Sequence, residues 1–362
     1  MTAAEINRDE TGRLPREAVV RAAFVRQAEL CDSLGSPFTA AVCRLCATRL
    51  DASTEIGQRI LTWPGDPVDA ALALRLAGGL HALVLSGGSP ELGKTYPPAA
   101  FDAEVLWQTV SEALVEHAGV LGAALDRFPQ TNEVGRSAML LPGFLTIAAE
   151  SKLPLALLEL GASAGLNLLW DRFSYRYGQN AWGDPDARVK LMPELRGRAP
   201  ILDGTAEVVS RAGVDLAPIN VNDPHNRLRL RSYIWADQRD RLARLDGALA
   251  LAQELNLHVE AGDAGAWLEA KLAAQRTDVA VVVFHSIVWQ YLPDVTQQRV
   301  STALHGRGAA ASIDRPLFWL RFEGVAGRGP ALLSLTQWPG MENRVLAEGD
   351  YHGRWLDWRG SR

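Results

Sequence analysis

Cysteine is scarce in this chain. Cys31, Cys43 and Cys46 are the only thiols among 362 residues, and so few, in an odd number, do not make a disulfide framework. Cys43 and Cys46 form a C-x-x-C, but it lies inside the helical pattern PFTAAVCRLCATRL, and no second such pair supplies the remaining ligands of a structural zinc site. The thiols therefore read as core residues, and no metal site is expected. Long apolar runs are missing too. The nearest to one, Ala138 to Ala149, is interrupted by Pro142 and Gly143, well short of the roughly 18–20 residues that span a bilayer. The first residues, MTAAEINRDETGRLPRE, are polar and of mixed charge, without the apolar core of a signal peptide. A cytoplasmic protein with no membrane partner is expected. Charge of one sign is not in excess: 37 Lys and Arg face 42 Asp and Glu, a net charge of −5. That balance does not suit electrostatic coating of nucleic acid or of an anionic membrane. No recognisable nucleic-acid module, internal repeat or low-complexity segment is present.

Hydrophobic residues make up 48% of the chain, enough to close a large core and to exclude global disorder. The length suits two domains, or one large domain with an elaboration. From residue 17 to about 150 apolar residues recur at three- and four-residue spacing, as in EAVVRAAFVRQAELCDSL and VDAALALRLAGGLHALVL, which predicts helices. The breaks, at Gly35-Ser36-Pro37, Trp63-Pro64-Gly65 and Gly87-Gly88-Ser89-Pro90, carry turn residues. One helix is expected over 102–126. Another should start near Thr131 or Asn132, good N-caps, and run to Ser151. The character changes at Pro154. LALLELG is a short, almost continuous apolar run, as in a strand buried on both faces of a parallel sheet. Strands and helices then alternate. TAEVVSRAGVDLAP reads as a strand ending in an acid, RLRSYIWADQRDRLARLDGALALAQEL as one long helix, LHVEAGD and DVAVVVFHS as strands, and PLFWLRFEG, ALLSLTQWPG and GRWLDW as late strands forming an antiparallel edge. This order predicts an α/β fold: a doubly wound, mostly parallel sheet (151–362) behind a helical N-terminal domain or cap (1–150). Residues 170–205 look like an insertion, a hairpin plus loop.

The most informative segment is Glu159-Leu160-Gly161-Ala162-Ser163-Ala164-Gly165-Leu166-Asn167. It follows the first strand and opens what reads as a helix. Glycines there let a ligand approach the backbone, and a helix start offers free N–H groups. The same residues spell G-x-S-x-G, a nucleophile elbow with Ser163 as nucleophile and Asp263 and His285 or His305 as triad partners. A tight, closely packed turn is the third reading. Position favours the ligand turn, because a hydrolase elbow follows several strands and this one follows the first.

The pattern E-x-G-x-x-x-G resembles motif I of class I S-adenosylmethionine-dependent methyltransferases, with Ser163 at the usual central glycine. That resemblance implies cofactor contacts from Glu159, Gly161, Ser163, Gly165 and Asn167. Gly213-Val214-Asp215 resembles the end of the second methyltransferase strand, where an acid accepts the ribose hydroxyls. Gly262-Asp263-Ala264 resembles the segment that meets the adenine, although a helix cap explains Asp263 as well. His285, after the fourth strand, is a candidate base because imidazole titrates near neutrality; a packed core histidine is the alternative. On a wider scale, LELGASAGLNLLWDRFSYRYG, QTNEVGRSAMLLPGF, YIWADQRDRLARLD and VFHSIVWQYLP resemble an uncharacterised, mainly bacterial family, Domain of Unknown Function 2332. The resemblance implies a methyltransferase-like Rossmann core. It adds Asn132 and Arg136, the latter as a bidentate partner for the cofactor carboxylate. The function expected is therefore a methyltransferase, or an S-adenosylmethionine-binding protein, acting on a small molecule. A serine hydrolase and a non-catalytic ligand- or partner-binding protein are the alternatives. The acceptor and the oligomeric state are not legible.

Overall fold

Apolar residues at helical spacing, punctuated by turn residues, wind the first part of the chain into α1 (Arg16–Ser33), α2 (Pro37–Arg49), α3 (Glu55–Leu61), α4 (Leu72–Leu85), α5 (Pro90–Lys94), α6 (Ala103–Glu116), α7 (Ala118–Leu125) and α8 (Ser137–Ser151). The computed structural model describes residues 15–274, 277–325 and 329–360. No helix among the described residues is long and apolar enough to cross a membrane. Contacts divide the chain into two units, residues 1–131 with 224–242 and residues 132–223 with 243–362. Helix α8, grouped with the helical region in the sequence reading, packs on the sheet of the second unit.

The first unit is a helical body around one apolar core. Thr54 caps α3 by accepting from the N–H of Gly57, and Asp102 caps α6 through those of Glu104 and Val105. All three cysteines are buried in this core as free thiols. Burial pushes the Cys46 thiol up to about 12, so it stays protonated. The single helix expected over 102–126 is interrupted at His117, which ends α6 and starts α7.

The long helix read from RLRSYIWADQRDRLARLDGALALAQEL is two, α9 (Pro224–Ser232) and α10 (Arg239–Glu254). Tertiary contacts explain the break. The Asp237 carboxylate accepts hydrogen bonds from the Ser36 hydroxyl and, at 2.8 Å, from the Phe38 N–H, at the first turn of α2. Trp235 and Ala236 pack against the helical core. A continuous helix would forfeit both anchors.

The second unit is built on a nine-stranded sheet. In chain order the strands are β1 (Leu155–Leu160), β2 (Ser174–Tyr177), β3 (Asn180–Trp182), β4 (Lys190–Leu191), β5 (Glu194–Gly197), β6 (Val208–Asp215), β7 (Glu260–Ala261), β8 (Ala280–Ser286), β9 (Leu317–Gly324), β10 (Ala331–Trp338), β11 (Glu342–Gly349) and β12 (Trp355–Trp358). Their spatial order is β7-β6-β1-β8-β9-β10-β11-β12-β5, with β2, β3 and β4 in a small separate sheet. Strands β7 to β9 run parallel, and β9 to β12 form an antiparallel meander. The mostly parallel sheet expected from the alternation is present, and so is its antiparallel edge. Strand β11 was not read from the sequence, because ENRVLAEG begins with exposed polar residues. The insertion at 170–205 supplies the small sheet and also β5, which pairs with β12.

Every residue of β1 and β8 is buried, as their almost continuous apolar runs require, the polar Glu159, His285 and Ser286 included. Leu158, Leu160, Val281 and Val283 face a core shared with α11 (Ala264–Ala273) and α12 (Asp294–Ala309). On the other face Phe144 of α8 stacks on Trp170 and meets Phe284 edge-on.

Replacing Asp237 with Ala removes two hydrogen bonds and a charge that complements the α2 dipole. Urea unfolding should show a loss of about 1–2 kcal/mol, and a smaller one for Asp237→Asn.

Candidate functional site

A parallel sheet offers its ligand site beyond the carboxyl ends of its strands, where successive connections diverge to opposite sides. Here that point lies between β1, followed in the chain by β6 on one side, and β8 on the other. Register places Glu159 of β1 beside Gly213 of β6 and Phe284 of β8. Side chains two residues apart share a face, so Asp215 lies on the Glu159 side. Glu159 is 2% exposed, and its Oε2 is buried without a hydrogen-bond partner. Burial first, and the nearby Asp215 second, push its carboxyl well above the usual carboxylate range, against the opposing pull of Arg136.

The turn after β1 is tightly constrained. Gly161, Ser163 and Gly165 have φ of +65°, +54° and +75°, values that glycine accepts and serine rarely does. The Ser163 hydroxyl is buried without a partner. The N–H groups of this turn are largely taken. Ala162 donates to Val214 O, Ser163 to Asp215 Oδ2 at 2.9 Å, Gly165 to Ala162 O and Leu166 to Asn132 Oδ1 at 2.9 Å. The helix expected after the turn is a short 3-10 helix, Leu166–Arg172. Leu166 and Asn167 are buried in it, and the Ser137 hydroxyl donates to Asn167 Oδ1 at 2.7 Å. The space above Gly161 belongs to Val288, whose Cγ2 would lie 2.3 Å from a Cβ there.

Arg136 donates from Nε to Tyr351 O at 3.0 Å and from Nη1 to Ser286 O at 3.2 Å. Asn132, Arg136, Glu159, Ser163, Asn167 and Asp215 thus surround the ends of β1, β6 and β8. Two expected members stand apart. Asp263 caps α11 through the Ala266 N–H and accepts from the Thr296 hydroxyl at 2.7 Å. These bonds and the nearby Arg299 hold its carboxyl below its usual value. His285 follows Phe284 and points to the opposite face of the sheet from Glu159. It is fully buried. Its Nδ1 lies 2.6 Å from Glu323 Oε1, and its Nε2 accepts from the Trp319 indole N–H at 3.1 Å. Both ring nitrogens are committed, so His285 holds structure. His305 Nδ1 bonds Ser301 O within its own helix. Neither histidine reaches Ser163, whose hydroxyl stays unpartnered; the serine–histidine relay of the hydrolase reading is not assembled.

Sequence reasoning overlooked Glu323 and Val288. Glu323 Oε1 also accepts from the N–H groups of Val288 and Trp289 at 3.1 and 3.3 Å, and so fixes the loop after β8. The alternation Trp319, Arg321, Glu323 in β9 is the available signal for that face. A pocket of about 330 Å³ lies beside the turn, lined by Pro218, Ile219, Asn220, Asn222 and the stretch from Asn256 to Val259. Its wall is tied to the turn by the Ile219 N–H, which donates to Ser163 O at 3.0 Å.

Two predictions follow from this geometry. Burial raises the folded Glu159 carboxyl above the unfolded value of about 4.3, so its contribution to stability is present below that pH and falls as pH rises above it. Glu159→Gln should therefore gain on the wild type as pH rises above about 4, by at most ~1.4 kcal/mol per unit, in urea titrations at increasing pH. A gap that does not vary with pH would contradict the buried, protonated carboxyl. Gly161→Ala should cost about 1–3 kcal/mol through strain and overpacking. Adding Val288→Ala should recover part of that loss, a non-additivity readable in a double-mutant cycle.

Searches of curated proteins and of solved structures found no match. One family model, described as "Uncharacterized protein conserved in bacteria (DUF2332)", matches residues 21–358. That span takes in the helical body, the turn after β1 and the antiparallel meander, and the chain belongs to this bacterial family.

Proposed function

We propose that the second unit binds S-adenosylmethionine at the carboxyl ends of β1, β6 and β8 and acts as a methyltransferase on a small-molecule acceptor. The observation that carries this reading is the buried, unpartnered carboxyl oxygen of Glu159 next to Asp215, at the point where the strand order reverses. Numbered by chain position, the strands from β7 through β9 stand in the order 3-2-1-4-5 of a Rossmann-like sheet, ignoring the small sheet and β5.

The residues fit this cofactor through side chains more than through the backbone. A cationic amino group beside Glu159 would satisfy Oε2 and favour the ionised carboxylate. Asp215 already accepts from the N–H groups of Ser163 and Ala217, one on each oxygen. Further lone pairs remain on both oxygens for ribose hydroxyls. Arg136, which also donates to Tyr351 O and Ser286 O, is the cation that would face the cofactor carboxylate, and the Ser163 hydroxyl remains to be paired. The turn offers little, because its amides are engaged and Val288 fills the space over Gly161. Asp263 serves its helix, and the adenine contact is not assigned to it. When bound, the cofactor would supply an electrophilic methyl group. Transfer then rests on holding an acceptor in line with it, and no acid or base is assigned.

Calorimetric titration of the full chain with S-adenosylmethionine and S-adenosylhomocysteine tests the reading. Saturable binding is expected, weakened at least tenfold in Asp215→Ala. Ligand at about a hundred times its dissociation constant should add roughly 2.7 kcal/mol of stability. Well-folded protein that binds neither compound would reject it, and binding without turnover of any acceptor would make it a binding protein.

A further inference from the structure

Ile287, the first residue after β8, stands in a backbone conformation that its side chain disfavours. Its φ is +52°, in the left-handed region that β-branched residues rarely enter. On the upstream side the chain is fixed. The Ser286 carbonyl accepts from Arg136 Nη1 at 3.2 Å, and the Ile287 N–H donates to Phe322 O of β9 at 2.9 Å. Downstream the chain leaves the sheet, and no residue from Ile287 to Pro293 is buried. Gln290 and Tyr291 at the tip are exposed.

Polar latches hold this strap closed. Glu323 Oε1 accepts from the N–H groups of Val288 and Trp289 at 3.1 and 3.3 Å. Gln297, near the start of α12, donates from Nε2 to Trp289 O and Leu292 O, both at 3.0 Å. The Trp289 ring rests on that of His285 at 5.2 Å. Inside the strap, the Tyr291 N–H donates to Val288 O at 2.9 Å and the Leu292 N–H to Trp289 O at 3.1 Å. Residues 288–292 are therefore tied to one another as a single turn. Val288 is the part that reaches the site. A Cβ on Gly161 would lie 2.3 Å from its Cγ2 and 2.9 Å from its Cβ. A strained residue at the exit from a rigid strand, followed by a turn with no buried side chain, is the makeup of a segment that opens locally.

We propose that residues 288–292 form a lid, hinged at Ile287 and latched by Glu323, that swings away from the turn after β1 and uncovers Gly161. Opening frees Ile287 to leave the left-handed region, and it breaks the bonds to Glu323 and Gln297. Those opposing terms make the lid a two-state element. Val288 then vacates the space through which a ligand reaches the Gly161 backbone, where the missing side chain permits close approach. That the entering group is the amino-acid end of the cofactor rests on the function proposed above; the lid itself does not.

The test is amide hydrogen exchange of the full-length protein without ligand, read residue by residue by NMR. The amides of Val288, Trp289, Tyr291 and Leu292 should share one protection factor, about a hundredfold or more below that of β8. Gly161→Ala puts a methyl group where Val288 sits. It should lower all four together by about tenfold, leaving β8 unchanged, and adding Val288→Ala should restore them. Glu323→Gln, a weaker acceptor, should lower them as well. Ile287→Gly removes the strain and should raise them several-fold. Should Glu323→Gln fail to fold, the Gly161 pair and Ile287→Gly decide. Strap amides as protected as those of β8, protection factors that shift independently, no response to Gly161→Ala, or lowered protection in Ile287→Gly would each overturn the lid. A lid that opens in protein binding neither S-adenosylmethionine nor S-adenosylhomocysteine would uphold this proposal and reject the cofactor reading alone.

Discussion

Glu159 places a carboxyl group at the end of a strand buried on both faces, and the surrounding site is arranged around that cost. An unpaired ionised carboxylate there is expensive, and burial pushes the carboxyl well above the usual carboxylate range. Asp215 on the adjacent strand reinforces this, and Arg136 only partly opposes it. The Arg136 guanidinium is divided between the carbonyls of Ser286 and Tyr351. It ties the ends of β8 and the last turn before β12 to the residues that lead into α8. A single buried acid thus sits at the junction of the strands most central to the sheet.

The loop after β8 links the two faces of that sheet. On one side Val288 closes the space over Gly161. On the other, Glu323 holds His285 and the amides of Val288 and Trp289 with one carboxylate oxygen. Trp289 stacks on the His285 ring at 5.2 Å, which adds to the rigidity. Access to the turn above Gly161 therefore runs through Val288, and Val288 is anchored by Glu323. His285 contributes by orienting this anchor, which accounts for a buried histidine at the end of a strand without any proton transfer.

Much of the fold was legible because the strongest patterns are local. LALLEL and AVVVFHS are apolar apart from Glu159 and the closing His285 and Ser286, and they form the fully buried centre of the sheet. The acids of Glu159 and Asp215 were legible from their places at strand ends, and their proximity follows from parallel pairing. Three features were not. The 3-10 helix after the turn reads like an ordinary helix start, because Leu166, Leu168 and Leu169 are apolar in either geometry. The break between α9 and α10 depends on Asp237 reaching α2 across about two hundred positions of sequence, which no local period reports. His285 looked like a base because its neighbours were unknown; Glu323 and Trp319 come from another strand, and only the sheet register brings them to its ring.

The buried carboxyl of Glu159 is the group on which a ligand at the ends of β1, β6 and β8 would act first. The most direct measurement is the infrared difference spectrum between wild type and Glu159→Gln at neutral pH, with and without S-adenosylhomocysteine. The free protein should show a protonated carboxylic acid band from Glu159, and ligand should replace it with carboxylate absorption as the amino group pairs with Oε2. A carboxylate band already present in the free protein, or a protonated band that saturating ligand leaves untouched, would contradict the account.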